Sequence, residues 1–185
     1  MQVDIALVHY PVINRIGETI GSAVTNLDLH DIARAGKTYG VSTYWVVTPF
    51  AEQQILARQI IDHWTSGHGG KVNPDRGTAL SLISVCSDLE EVVAGSTERF
   101  GEKPLVLATC ARVLDNTITY ATIRGEVWQG RPMVLVFGTA WGLAPEVLAS
   151  ADGVLPPLCG TTGFNHLSVR SAASIILDRL LGVRE

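Results

Sequence analysis

Five short runs rich in Val, Ile and Leu recur along this chain: Val3 to Val8, Ser42 to Val47, Leu80 to Val85, Leu105 to Ala108 and Met133 to Phe137. Each is nearly continuous in its apolar character, as strands covered on both faces of a parallel sheet are. The segments between them have helical spacing. Leu29, Ile32 and Ala33 share a face with Gly40 as a stop, and Ala57, Ile60, Ile61 and Trp64 share one with Gly67 as a stop. A third helix is predicted from Ser87 to Phe100, with Ser87 as the cap and Glu90 closing the capping box. A fourth carries Ile118, Ala121, Thr122 and Gly125 on one face and ends at Gly130. The last, Ser168 to Leu181, places Ala172, Ile175, Ile176 and Leu180 on one side, with Arg170, Asp178 and Arg179 largely opposite. This alternation predicts an α/β fold: an open, mostly parallel sheet with helices on both faces, formed by residues 1–185 as one domain.

Composition narrows the function classes. With 46% hydrophobic and 17% charged residues among 185, the chain supports a packed core and excludes a disordered or low-complexity protein. A net charge of -4 argues against holding nucleic acid by bulk electrostatics, while leaving room for a local basic pocket. The opening MQVDIALVHY has no cationic leader and no run approaches the roughly 20 apolar residues of a membrane span. A soluble, cytoplasmic protein with no membrane association is therefore expected. Cys86, Cys110 and Cys159 are widely spaced, form no CxxC pair and read as buried free thiols. His63 and His68 lack a third ligand nearby, so no metal is expected.

Two stretches break the regular alternation. His68 to Arg76 is glycine-rich and polar and reads as a loop; Val154 to Asn165 has two prolines and two glycines and is longer than an ordinary helix–strand connection. Ligands of open α/β sheets bind beyond the carboxyl ends of the strands. There the chain offers Ala108-Thr109-Cys110-Ala111, then Gly138-Thr139-Ala140-Trp141-Gly142-Leu143, then the loop Pro156 to Asn165. Small residues at all three ends let the backbone approach a flat, nucleoside-like ligand. GxGxxG, GxxxxGK[ST] and GxSxG are all missing, which removes most support for nicotinamide enzymes, P-loop NTPases and α/β-hydrolases.

The stretch LVFGTAWGLAPEVL, followed by LPPLCGTTGFNHLSVRSAASIILDRLL, resembles the C-terminal half of the SPOUT class of S-adenosylmethionine-dependent RNA methyltransferases. Asp28 to Arg34, ahead of Tyr39-Gly40-Val41, is similar to the Asn-to-Arg signature of the ribose-methylating members, so the resemblance covers essentially the whole chain. It implies a C-terminal trefoil knot over about residues 104–182, with the segment around Leu155 to Leu167 threaded through a loop of earlier residues. It also implies that S-adenosyl-L-methionine lies among the loops Thr109 to Ala111, Phe137 to Leu143 and Leu155 to Ser168. The candidate cofactor residues are Thr109, Phe137, Gly138, Thr139, Gly142, Leu158, Gly160, Asn165, His166, Leu167 and Ser168, with backbone groups of Gly138, Leu158, Gly160 and Leu167 gripping the adenosine.

Methyl transfer from a sulfonium asks the protein to align the acceptor, exclude water and deal with the acceptor's proton. The resemblance places Arg34 beside the acceptor as the catalytic candidate. A guanidinium is effectively never deprotonated, so it is expected to bind phosphate or stabilise a forming alkoxide. Asp28 and His30 share part of its face, and Arg170 lies in the first turn of the last helix; all three are candidate substrate contacts. The alternative for Arg34 is a surface ion pair with Asp31 or Glu18, and for Asn165 or Ser168 a plain helix cap.

Ribose methylators commonly have a Glu after the Gly of the second loop and Ser-x-Asn in the third, whereas this chain has Thr139-Ala140 and His166-Leu167-Ser168. A ribose hydroxyl, a guanine ring nitrogen and other base atoms therefore all stay open as acceptor. The reading is a homodimeric methyltransferase acting on tRNA or rRNA. The competing readings are a knotted cofactor- or RNA-binding module without transfer and, more distantly, a nucleotide-binding oxidoreductase.

Overall fold

The computed structural model describes residues 1–114 and 117–184; Asp115, Asn116 and Glu185 lie outside them. In chain order the elements are β1 (Val3–Val8), β2 (Val12–Ile13), β3 (Thr19–Ile20), α1 (Asn26–Thr38), β4 (Thr43–Val47), α2 (Ala51–Thr65), α3 (His68–Val72) and α4 (Pro74–Leu80). There follow β5 (Ile83–Cys86), α5 (Leu89–Phe100), β6 (Leu105–Thr109), α6 (Tyr120–Trp128), β7 (Met133–Gly138), α7 (Pro145–Ser150), β8 (Gly153–Leu155) and α8 (Val169–Leu181). Six strands form one sheet in the order β5-β4-β1-β7-β6-β8, every pair parallel, and β2–β3 is a separate antiparallel hairpin.

Central β1 is buried at all six positions, and β7 at five of six, which explains runs that are apolar except at Asp4, whose buried carboxylate accepts from Trp45 Nε1 and Ser96 Oγ. One face of the sheet packs against α1, α2, α4, α6 and α8; the other is covered by α5 and α7. Strand β8 is flanked twice. Val154 pairs with Ala108 of β6 on one side, and on the other its carbonyl accepts from Ile118 N at 2.9 Å. Residues after β6 therefore return along the far side of β8, and Gly153 leaves no room there: a Cβ would sit 2.3 Å from Ile118 Cδ1.

Several expectations are corrected. The predicted strand from Leu80 begins at Ile83, because Leu80 closes α4. Residues 68–76 are no loop: they form α3 and the first turn of α4, where Asn73 caps by accepting from Arg76 N and Pro74 opens the helix. Their glycines serve close packing, since a Cβ on Gly69 would lie 2.7 Å from the Trp64 ring and one on Gly70 would lie 2.4 Å from Trp64 O. The cap of α5 is Asp88, which accepts from Glu91 N; Ser87 instead accepts from Gln54. On α6 the buried stripe is Ile123 and Val127, while Ala121, Thr122 and Gly125 are not buried and Ile118 precedes the helix. On α8 the buried set is Ala173, Ile176, Leu177, Leu180 and Leu181; Ile175 faces outward. Of the three thiols Cys86 alone is buried, its pKa pushed up to about 12 by desolvation, whereas Cys110 is half-buried and Cys159 exposed.

The carboxyl end of α8 is closed by a side chain. Arg124 donates to the carbonyls of Arg179, Leu180 and Gly182 at 3.1, 3.0 and 2.8 Å, and Trp128 Nε1 donates to Leu180 O at 3.2 Å. A cation at a helix C-terminus with several charge-assisted bonds stabilises the helix. Arg124→Met is expected to lower stability by about 2 kcal/mol, read as a lower urea midpoint with an unchanged slope.

Candidate functional site

Beyond the carboxyl ends of β1, β7, β6 and β8 lies a cavity of about 1050 Å³. Three separated loops meet in it, through Thr109, Cys110 and Ala111 from the first, Phe137 to Leu143 from the second, and Asn165 to Ser168 from the third. Phe137, Leu143, Leu158 and Ile176 give it an apolar floor, and the hydroxyls of Ser22 and Thr139 stand in its wall. Most of the predicted cofactor residues line it, as do Asp28 and Arg170. Gly160 does not line it and is exposed on the adjoining loop.

The second loop is shaped by its backbone. Gly142 has φ +113 and Ala140 φ +51, both in the left-handed half of conformational space. A Cβ on Gly138 would lie 2.6 Å from Leu143 N and 2.9 Å from Gly142 C, so the chain can fold back on itself here only with glycine. The N-terminal hairpin clamps this turn: Ile13 N donates to Gly142 O at 3.0 Å and Trp141 N to Ile13 O at 3.1 Å. The third loop is tied to the first by Asn165 Nδ2, which donates to Ala111 O at 2.9 Å. Ser168 caps α8, accepting from Ser171 N at 3.2 Å.

Charge at the rim comes from a bolt between two helices. Arg170 Nη1 meets Asp28 Oδ1 at 2.8 Å and Arg170 Nε meets Asp31 Oδ2 at 3.4 Å. Asp28 is nearly buried and takes a further bond from Thr25 Oγ1 at 2.6 Å, so Arg170 is held by a fixed carboxylate. Arg34 lines a second, shallower cleft of about 570 Å³ that shares Ser168 and Arg170 with the cavity. Asp31 is engaged by Arg170 and Glu18 by Asn14, and among the described residues Arg34 makes no ion pair. His30 is the expected site residue that points elsewhere. It packs edge-on against Trp64 at 5.3 Å, and burial, with Arg76 beside it, lowers its pKa.

Sequence reasoning misses Ser22 and the side chain of Trp141 as parts of the site, and His9 as the buried group behind Ser22. His9 is fully buried, its Nδ1 3.2 Å from Ser22 Oγ, which in turn bonds to Thr139 Oγ1. The chain of contacts closes on the backbone of the strand end, with Thr139 Oγ1 3.0 Å from Val8 O and Ser22 Oγ 3.4 Å from His9 O. Burial pushes the imidazole pKa down to about 4 despite the opposing pull of the Asp28 carboxylate and the Ala23 backbone. His9 directly follows β1, and the carboxyl-end rule applied to that strand finds it.

Among the described residues no cluster of three His, Cys, Asp or Glu side chains is arranged to hold a metal, and no helix is long and apolar enough to cross a membrane.

A family model described as SAM-dependent RNA methyltransferase matches residues 2–182. A tRNA (guanine-N(1)-)-methyltransferase of Oleidesulfovibrio alaskensis is 46% identical over 177 residues, which are 96% of this chain and 41% of that protein. The chain thus spans about two fifths of that relative's length. An uncharacterized protein of Aquifex aeolicus is 39% identical over 179 residues, 96% of this chain and 87% of its own length. Among solved structures, the SpoU methyltransferase AviRb of Streptomyces viridochromogenes in complex with AdoMet superposes with a TM-score of 0.58 at 16% identity, covering 96% of this chain and 56% of that one.

Proposed function

This chain belongs to the family of S-adenosylmethionine-dependent RNA methyltransferases, and on that premise we propose that its three-loop cavity binds the methyl donor and presents it to an RNA nucleotide entering past Arg170 and Arg34. The observation that carries this reading is the convergence of loops 109–111, 137–143 and 155–168 on one cavity. The cavity fits the donor: it has an apolar floor for a nucleoside, hydroxyls and a carboxylate for its polar groups, and a volume at the upper end of small-ligand sites. The thiol chemistry of Cys110 is not needed. When bound, S-adenosylmethionine supplies a methyl group on a sulfonium, a leaving group that departs without protonation.

The chain's own residues have four tasks. Phe137, Leu143, Leu158 and Ile176 exclude water from the donor's apolar parts. The backbone of the turn at Gly138, Gly142 and Leu143 and the hydroxyls of Ser22 and Thr139 fix its orientation. Arg170, held by Asp28, meets a phosphate or a developing negative charge at the rim. Arg34, in the neighbouring cleft, adds a second cation on the path of the RNA backbone. Charge segregation supports approach from this side, because α5 and α7 on the opposite layer carry Glu90, Glu91, Glu98 and Glu146 against Arg99.

The proposal includes one SPOUT-like domain over residues 1–185, knotted over about 104–182, and the double flanking of β8 supports the threading. It also includes a cytoplasmic homodimer in which a second copy packs on the outward-facing Ile175 and leaves Arg34 open to the RNA. The named relative makes tRNA the first acceptor to test. More than half of that relative lies outside the match, so guanine N1 is not carried over with it.

The test is calorimetry with S-adenosylmethionine followed by incorporation of labelled methyl into total RNA. Arg34→Ala is expected to keep donor affinity while slowing transfer about 100-fold, the scale of losing one charge-stabilising group. Donor binding with no transfer by the wild type would favour the non-catalytic module, and no donor binding would overturn the proposal.

A further inference from the structure

Trp141 stands out at the mouth of the cavity. It is 58% exposed, although it belongs to the turn whose neighbours Phe137 and Leu143 are almost fully buried. The turn is also strained where it presents this ring: Ala140, a residue with a side chain, is held at φ +51 by the hydrogen bonds that clamp Trp141 N and Gly142 O to Ile13. An exposed indole on a rigid, strained support forgoes hydrophobic burial and backbone comfort at one position. His166 stands beside it with ring centroids 6.2 Å apart, and Phe164, 77% exposed, stacks on His166 at 6.3 Å and 27°. The rim thus carries three adjoining aromatic rings in contact with water.

We propose that Trp141 is the stacking platform for the nucleobase of the acceptor RNA, with His166 and Phe164 extending it, so that base stacking sets how the acceptor nucleotide enters the cavity. Aromatic faces hold unpaired bases by stacking, whatever the base, at about 1–3 kcal/mol per base. The position separates acceptor from donor: the buried lining of Phe137, Leu143 and Ile176 suits the donor, while Trp141, exposed to water, lines the same cavity from outside it. A platform of this kind selects an unpaired nucleotide, in a loop or flipped out of a helix, over one locked in a duplex. The inference rests on the proposed transfer reaction and names the positioning residue of its acceptor side.

Wild type, Trp141→Ala and Trp141→Phe are compared in three measurements: donor affinity by calorimetry, KM and kcat for methylation of tRNA, and quenching of tryptophan fluorescence by that RNA. Trp141→Ala is expected to raise KM for RNA about 10-fold or more, with donor affinity and kcat nearly unchanged. Trp141→Phe should recover most of the lost KM, and its missing indole should remove the RNA-dependent quenching. If Trp141→Ala weakens donor binding and leaves KM for RNA alone, the ring belongs to the donor's adenine and the inference falls. Unchanged KM and quenching in both variants would also overturn it. A wild type that transfers no methyl to RNA sinks the transfer reading instead, and quenching by RNA that is lost in Trp141→Phe would still support the platform.

Discussion

Gly138→Ala is expected to remove measurable donor binding, with at least a 100-fold rise in Kd by calorimetry, while circular dichroism still reports a folded α/β protein. The added methyl has nowhere to go. Its nearest neighbours are backbone atoms, Leu143 N at 2.6 Å and Gly142 C at 2.9 Å, and backbone in a tight turn does not swing aside as a side chain would. Relief requires the turn to open, which breaks its clamp on Ile13 and displaces the cavity wall that Thr139 and Leu143 form. Gly125→Ala is the control: on α6 its new methyl would meet nothing within 4 Å, and donor affinity should be unaffected. Equal affinity of Gly138→Ala and wild type would mean that the donor does not sit against this turn.

Stability should fall steeply in mild acid because of His9. Its pKa in the folded protein is about 4, below the ordinary 6.5, so between those values the unfolded chain binds the extra proton and the native one does not. Stability is then fully present above pH 6.5 and is lost as pH falls towards 4, by on the order of 3 kcal/mol. His30 adds to the effect in the same direction, its pKa lowered by burial and by Arg76, so the contribution of His9 is read as a difference. Urea unfolding of wild type and His9→Gln at pH 7 and pH 4.5 should show a markedly smaller acid loss in the variant. Parallel losses in the two proteins would assign the acid sensitivity to other groups.

Much of this architecture is legible in the residues. The strands β1, β4, β6 and β7 stand out nearly to the residue because burial leaves few polar interruptions, Asp4 in β1 being one. The three cavity loops follow from small residues placed after strands. What escapes has particular causes. Strands β2, β3 and β8, two or three residues long, are too short to show a period, although β2 clamps the turn at Gly142. The glycines at 69 and 70 read as loop punctuation because sequence does not reveal that Trp64 and His63 press against them. The stripes on α6 and α8 differ from the predicted ones because small residues satisfy helical spacing on an open face as well as on a buried one. His9 looks like the tail of a strand, and its link to Ser22 and Thr139 joins residues far apart in the chain.

The hairpin's grip on the turn at Gly142 has a consequence for synthesis. Residues of β2 hold a wall of the cavity in place, yet the turn they hold is made only after β7, and α8 follows later still. The cavity is thus complete only once α8 has been made, and no shorter nascent segment holds all of its walls.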